Sequence, residues 1–266
     1  MGNNINSMPL VFRIARVVRV ATGRLLFKKR LPARFGAARI YVTPRSDIRL
    51  LKPGWKDSAG DLLLVAGRYI RNGFCVWDIG SNLGIFSFCA AFKSGSGGQC
   101  YSLEADPKYA ELQNRTVSRL PGGYARVTVL CAAIAGEIAL LELAIPKKGH
   151  ARNHLAIVSG NSAGEIESTK QVVSITGDFL AKHWKKPDFV KMDVEGAELL
   201  ALEGAPWLLE EARPVFYIEV CEETQKQVSA LFRRSNYRMF RLAADGTEQA
   251  VESCVFNTLA KPVEKC

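Results

Sequence analysis

The stretch Val76-Trp77-Asp78-Ile79-Gly80-Ser81-Asn82-Leu83-Gly84 constrains the fold more than any other: an apolar run ends in a glycine-punctuated turn, and an amphipathic segment follows. That order gives a strand, a tight loop and a helix start, the arrangement that holds a nucleotide-like ligand at the edge of an α/β sheet. A dinucleotide fingerprint would need glycine at 78, 80 and 83, so that a pyrophosphate could lie against bare backbone. This chain has Asp78, Gly80 and Leu83, with Gly84 one place later. An acid at 78 repels a diphosphate and suits a ligand with a cationic amino-acid end, as S-adenosylmethionine has in its ammonium and sulfonium.

A second signal lies twenty residues past Gly84, where Gln99-Cys100-Tyr101-Ser102-Leu103-Glu104 reads as a strand ending in an acid. A carboxylate there can accept hydrogen bonds from both ribose hydroxyls of such a ligand. Pro107 then opens a helical run through Tyr109, Leu112, Val117 and Leu120, with proline at a tolerated early position.

From Phe74 onward, strands and helices alternate, the pattern of a mainly parallel sheet with helices on both faces. The expected strands lie near 74–79, 99–104, 126–132, 188–193, 214–220, 237–242 and 253–259, and the helices near 83–93, 107–120, 196–211 and 222–235. Residues 133–187 depart from the alternation, with an extra strand at 138–143, a Gly/Asn/Ser-rich loop at 147–168 and an extended piece at 172–175. An insertion of this length beside the ligand end of a sheet is expected to bind an acceptor. The chain divides in this reading into a basic N-terminal extension, 1–73, and a catalytic domain, 74–266.

Charge supports that division. Residues 1–73 hold 15 Lys or Arg against 3 acids, net +12, whereas residues 74–266 hold 21 against 23, net −2. A nearly neutral catalytic domain argues against clamping a long nucleic acid, since each neutralised phosphate needs a cation. Residues 8–30 read as a basic amphipathic helix, with Leu10, Ile14, Val17 and Val18 on one side and Arg13, Arg16, Arg19 and Arg24 interleaved, followed by Lys28-Lys29-Arg30. Two readings stand for it: a helix seated on an anionic membrane surface, or one packed on the catalytic domain with its arginines in water. Short strands and turns over 39–55 lead into a helix near 57–71. No apolar run reaches the roughly 20 residues a membrane span needs, and arginines interrupt every candidate signal sequence. A cytoplasmic location is expected, free or peripheral at the inner face of the membrane. The seven cysteines form no Cys-x-x-Cys pair and read as reduced packing residues.

The third signal is Asp188-Phe189-Val190-Lys191-Met192-Asp193-Val194-Glu195-Gly196-Ala197-Glu198. A strand delivers Asp193 to its carboxyl end, where open α/β sheets bind ligands, and Glu195 and Glu198 follow in the turn and the next helix. Carboxylates grouped there suit a general base, a grip on an ammonium, or a divalent ion. No metal is indicated; were one held, Asp193, Glu195 and Glu219 are the residues placed to hold it.

Taken together, Asp78-x-Gly-Ser-Asn-x-Gly84, Glu104-Ala-Asp-Pro107, Asn114, Lys191-Met-Asp-Val-Glu-Gly-Ala-Glu198, Leu202-Glu-Gly204-Ala and Ile218-Glu219 resemble the FkbM-like methyltransferases in order and spacing. The resemblance covers about residues 74–221. It implies a Rossmann-like, seven-stranded, mostly parallel sheet, S-adenosylmethionine as cofactor, and methylation of a hydroxyl on a sugar, glycan or glycosylated metabolite. Where the family often carries Thr-Leu-Asp, this chain has Thr176-Gly177-Asp178. The cofactor contacts expected are Asp78, Gly80, Asn82, Gly84, Glu104, Ala133 and Asp193. Asp193 is the first candidate base; His154, and behind it His150, are second candidates because imidazole titrates near neutral pH and both lie in the acceptor-side loop. His183, beside Trp184, reads as structural. Two rival functions are kept: RNA methylation with the basic N-terminal region as grip, and a non-enzymatic protein that docks on a membrane or partner.

Overall fold

A computed structural model of the chain describes residues 25–146, 154–155 and 166–266. The N-terminal part begins with β1 (Phe27–Arg30), paired antiparallel with β2 (Arg39–Val42). The helix expected over residues 8–30 therefore does not include its last turn. Phe27 and Lys29 are half-buried while Lys28 and Arg30 are exposed, an alternation of period two that belongs to a strand. Residues 8–24 of that expected helix lie outside the described residues. Helix α1 (Lys56–Tyr69) follows where a helix was expected. Among the described residues no helix is long and apolar enough to cross a membrane.

These N-terminal elements share a core with the sheet. Leu31, Phe35, Ile40 and Leu63 pack in one cluster with Val76, Phe86, Phe88 and Phe189. Hydrogen bonds tie them down: Tyr41 N donates to Thr116 Oγ1 (3.1 Å), Tyr124 Oη to Phe35 O (2.8 Å) and Trp55 Nε1 to Arg30 O (2.9 Å). The charge boundary at residue 73 thus crosses a continuous apolar core.

The main sheet is built from β3 (Cys75–Ile79), β4 (Gln99–Glu104), β5 (Arg126–Cys131), β10 (Phe189–Met192), β11 (Val215–Glu219), β12 (Tyr237–Leu242), β13 (Glu248–Val251) and β14 (Asn257–Pro262), in the order β13-β12-β14-β11-β10-β3-β4-β5. The strands from β5 to β11 run parallel, and β14 is antiparallel to both its neighbours. Seven strands were expected, and the eighth, β13, is a hairpin partner of β12 turned at Asp245-Gly246, with Gly246 at φ +87°. Helices α2 (Ile85–Ser94) and α3 (Pro107–Val117) cover one face; α5 (Glu198–Glu203) and α6 (Gln225–Arg234) cover the other. With both faces covered, every residue of β3 is buried.

The helix expected over 196–211 is split. α5 ends at Gly204, Pro206 stands beyond it, and Leu208–Ala212 forms a separate π-helical turn. A Cβ on Gly204 would lie 2.5 Å from Ala135 O, so this break lets two backbones touch.

The insertion forms a second sheet in the order β6-β9-β7-β8, from β6 (Ala133–Ile134), β7 (Ala139–Pro146), β8 (His154–Leu155) and β9 (Ile166–Ile175). The short helix α4 (Gly177–Ala181) returns the chain toward β10.

Phe35 is fully buried, so Phe35→Ala should cost about 3–5 kcal/mol. Urea denaturation followed by far-UV and tryptophan signals should still show one transition, because the cavity opens in a core common to the extension and the sheet. Two separate transitions would mark residues 25–73 as an independent unit.

Candidate active site

The chain order reverses between β3, which leads to β4 on one side, and β10 on the other. This is the switch point at which open α/β sheets bind ligands. The loop after β3 is drawn tightly onto the loop after β10. Asp193 N donates to Ile79 O (3.0 Å), and a Cβ on Gly80 (φ +72°) would sit 1.7 Å from Asp193 O. Glycine at 80 is required by this approach of two protein backbones. Gly84 (φ +73°) opens α2, and a Cβ there would press on Phe88 and Gln113. Asn82 takes the left-handed conformation (φ 53°), which asparagine tolerates, and donates its N–H to Glu104 Oε2 (2.6 Å). The other Glu104 oxygen accepts from Asp106 N (2.8 Å). Burial pushes the Glu104 carboxyl up to about 7, against the pull of these two bonds.

Lys191 was quoted within a motif but given no role in the sequence reading. Its side chain stands in the middle of β10 between buried Val190 and Met192 and is almost wholly buried itself. Parallel register sets it beside Asp78. Its Nζ donates to Gly80 O (2.7 Å) and lies 3.5 Å from both Asp78 Oδ1 and Asp193 Oδ2. Burial alone would lower the lysine pKa; Asp193, Asp78 and Glu219 around it more than offset that and hold it above its ordinary value. Asp78 is fully buried, and burial raises its pKa in spite of Lys191. Ser87 Oγ donates to its Oδ2 (2.5 Å). The Asp78 carboxylate is thus enclosed beneath the loop, between Ser87 and Lys191. The signal for Lys191 was available: a cation in a run of buried strand residues needs carboxylates beside it.

Two cavities adjoin at the carboxyl edge. A narrow one of about 70 Å³ is lined by Glu104, Ala105, Tyr109, Ala133, Leu143 and others, and a wide one of about 590 Å³ by residues of the N-terminal part and of β10, β11 and the loop before β14. Asn82, Asp193 and Glu195 belong to both walls. Asp193 is partly exposed, with a side-chain accessibility of 34%; its Oδ1 is itself buried and has no hydrogen-bond partner among the described residues, while Oδ2 faces Lys191. Carboxylate oxygens of Asp193, Glu195 and Glu219 lie within 4.8 Å of one another.

Other expected residues are placed differently. Glu198 is fully buried, its Oε1 accepting from Gly196 N (2.9 Å), so it secures the turn and leaves the open group to Glu219. Asn114 is exposed; the neighbouring Gln113 is the one that turns inward, donating to Ser81 Oγ (2.8 Å) and Asn82 O (2.7 Å). Asp178 Oδ1 accepts from Trp207 N (3.1 Å), and a Cβ on Gly177 would meet Ala205 Cβ at 2.4 Å, so the departure from Thr-Leu-Asp suits close packing of α4. His154 lies on β8, the outermost strand of the second sheet, two strands beyond β9, which pairs with Ala133. His150 lies outside the described residues. His183 Nδ1 is 2.8 Å from Phe179 O and its ring packs on Phe179, a structural placement. All seven cysteines are free thiols.

Apart from the hairpin strand β13, the seven strands in this order, with a glycine loop after β3 and an acid ending β4, define a class I S-adenosylmethionine-dependent methyltransferase fold. The chain belongs to the FkbM methyltransferase family: the Methyltransferase FkbM domain matches residues 78–239. The family and the cofactor expected from the sequence motifs both stand. No curated protein matches the chain. Among solved structures, it is similar to methyltransferase FkbM from Methylobacillus flagellatus (16% identity, 75% of this chain and 47% of that one, TM-score 0.48). The chain thus spans about half of that protein. It is also similar to an S-adenosylmethionine-dependent O-methyltransferase from Thermotoga maritima (14%, 84% and 73%, 0.41) and a putative RNA methyltransferase from Pyrococcus horikoshii (13%, 93% and 99%, 0.41).

Two predictions follow from the geometry. Lys191→Met leaves Asp78 buried without its cation and should cost about 3–5 kcal/mol in urea denaturation, whereas Lys191→Met with Asp78→Asn should recover part of the loss. The Glu104 carboxyl has a folded pKa of about 7 against an ordinary 4.5, so its contribution to stability is complete below the lower value and is lost as pH rises through the upper one. Over that window the wild type should lose on the order of 3 kcal/mol relative to Glu104→Gln. Parallel stability profiles for the two proteins would count against this ionisation.

Proposed function

We propose that this chain transfers the methyl group of S-adenosylmethionine to a hydroxyl of a sugar, glycan or glycosylated metabolite. The observation that carries the reading is the position of Asp193, partly exposed on the shared wall of the two cavities. The narrow cavity is the adenosine side. There Glu104 keeps lone pairs free beyond its two backbone bonds and accepts from the ribose hydroxyls, and the small side chains of Ala105 and Ala133 leave room for a flat base. At 70 Å³ it lies below the roughly 300–1,000 Å³ of ligand pockets, so the rim side chains Tyr109 and Leu143 shift on binding. Gly80, Asn82 and Gly84 shape the loop, and Asp78 with Lys191 holds it in place.

The wide cavity takes the acceptor. Its wall offers the carboxylates of Asp61, Glu195 and Glu219 as hydrogen-bond acceptors for hydroxyls, and Tyr217 and Phe256 as flat surfaces for sugar C–H faces. The expected acceptor side was the insertion; this reading moves most of it to residues 46–62. S-adenosylmethionine, when bound, supplies a methyl group already activated by its sulfonium. What the chain must add is alignment and removal of one proton. A carboxylate is a weak base toward a free alcohol, yet it suffices for an oxygen that is being alkylated, whose proton becomes strongly acidic. Asp193 accepts that proton, and Lys191 fixes the carboxylate from the buried side.

Asp193→Asn keeps the shape and removes the charge, so turnover measured with radiolabelled cofactor against a panel of sugars and glycans should fall about 10²–10⁴-fold. Affinity for S-adenosylhomocysteine should change little if Asp193 is the base, and should fall together with activity if it grips the amino-acid end. Activity lost with EDTA and restored by magnesium would reassign Asp193, Glu195 and Glu219 to an ion. Unchanged turnover in the variant would remove Asp193 from the chemistry altogether.

A further inference from the structure

Beside the acceptor cavity lies a groove of about 760 Å³ whose wall carries Lys28, Lys29, Arg30, Arg34 and Lys56 and, among the described residues, no carboxylate. The two adjoin at the start of α1, where Lys56 and Gly60 line both. Several of these cations are held in place. Lys29 Nζ donates to Leu50 O (3.1 Å) and Lys52 O (2.9 Å) and sits 4.6 Å above the Trp55 ring, while Lys28 lies 5.2 Å from the ring of Tyr41 and Arg34 5.3 Å from that of Phe35. The nearest acids in sequence are bonded to other cations, Asp47 to Arg49 (2.9 Å) and Asp57 to Lys52 (2.8 Å), and act on groove residues through their charge, Asp47 on Lys29 and Asp57 on Lys56. Residues 1–46 contain no Asp or Glu. Five like charges gathered with so little counter-charge repel one another, a cost that a bound anion removes.

The acceptor cavity has the opposite balance, with Asp47, Asp57, Asp61, Asp193, Glu195 and Glu219 on its wall against Arg49, Lys56 and Lys191. A phosphate would be repelled there and attracted next door. We propose that the acceptor is a phosphate-bearing glycan, its sugar in the carboxylate-lined cavity and its phosphate or diphosphate in the groove of Lys28, Lys29, Arg30, Arg34 and Lys56. This rests on the O-methyltransferase reading and adds the charge of the substrate to it. The separation of charge also orients the acceptor, because the reversed pose sets phosphate against carboxylates and hydroxyls against cations.

The test uses the full chain saturated with S-adenosylhomocysteine, titrated calorimetrically with inorganic pyrophosphate. The wild type should bind, more weakly as salt rises, and Lys28→Glu with Arg34→Glu should lose at least about tenfold in affinity while keeping its affinity for S-adenosylhomocysteine. Both side chains are exposed, and an unchanged melting temperature shows that the variant is folded. Uridine diphosphate binding more tightly than pyrophosphate supports a nucleotide-linked sugar; equal binding supports recognition of the diphosphate alone, as in a lipid-linked sugar. Pyrophosphate that fails to bind, or binds both proteins equally, overturns the proposal. So does variant-sensitive binding of phosphatidylglycerol vesicles or single-stranded RNA without pyrophosphate binding, which would give the groove to a membrane or a nucleic acid. Failure of the methyltransferase reading shows separately, as loss of S-adenosylhomocysteine binding by the wild type.

Discussion

The ammonium of Lys191 holds the site together. It is buried in the sheet between Asp78 and Asp193 and bonded to the carbonyl of Gly80, so one cation joins the first strand, its loop and the end of the neighbouring strand. A buried ion pair gains little net stability over a well-packed apolar pair, because both charges lose their water. What it gains here is placement. Removing Lys191 or Asp78 leaves the other buried and charged, whereas Asp193 keeps contact with solvent.

That cluster explains the glycine at 80. The lysine draws the loop toward Asp193 until the backbones touch, and no Cβ fits between them. The loop is held from its other side by Gln113 and by Ser46, whose hydroxyl donates to Asn82 Oδ1 (2.7 Å). Asn82 in turn presents its N–H to Glu104. A ligand at this edge meets a loop already formed, with little ordering left to do on binding. The same contact from Ser46 brings the N-terminal part of the chain to the site, which is why residues 46–62 form a cavity wall although the motifs begin thirty residues later.

Charge is sorted along this edge. Carboxylates collect where the strands end, in part because Lys191 lies beneath them, and cations collect on β1 and at the start of α1. The +12 of the first 73 residues, legible from composition, goes partly to the groove and partly to residues that lie over aromatic rings, as Arg68 does over Tyr69.

By itself the sequence determined the parallel sheet, the loop after β3, the acid ending β4 and the strand that delivers Asp193. Each is a local pattern: apolar runs bounded by glycine, or an acid at a strand end. It also named Glu219 as a neighbour of Asp193 and Glu195. The tertiary structure alone decided the rest. Helix phase turned Gln113 inward and Asn114 outward; a period-two run in Phe27–Arg30 became a strand because Arg39–Val42 was there to pair with it; Asp78 was sealed beneath α2 by Ser87. The N-terminal part, set apart by charge, was joined to the core by its apolar residues. Periodicity reports which side of an element is buried. Which distant residues meet it depends on how the crossovers stack the layers, and no local pattern carries that.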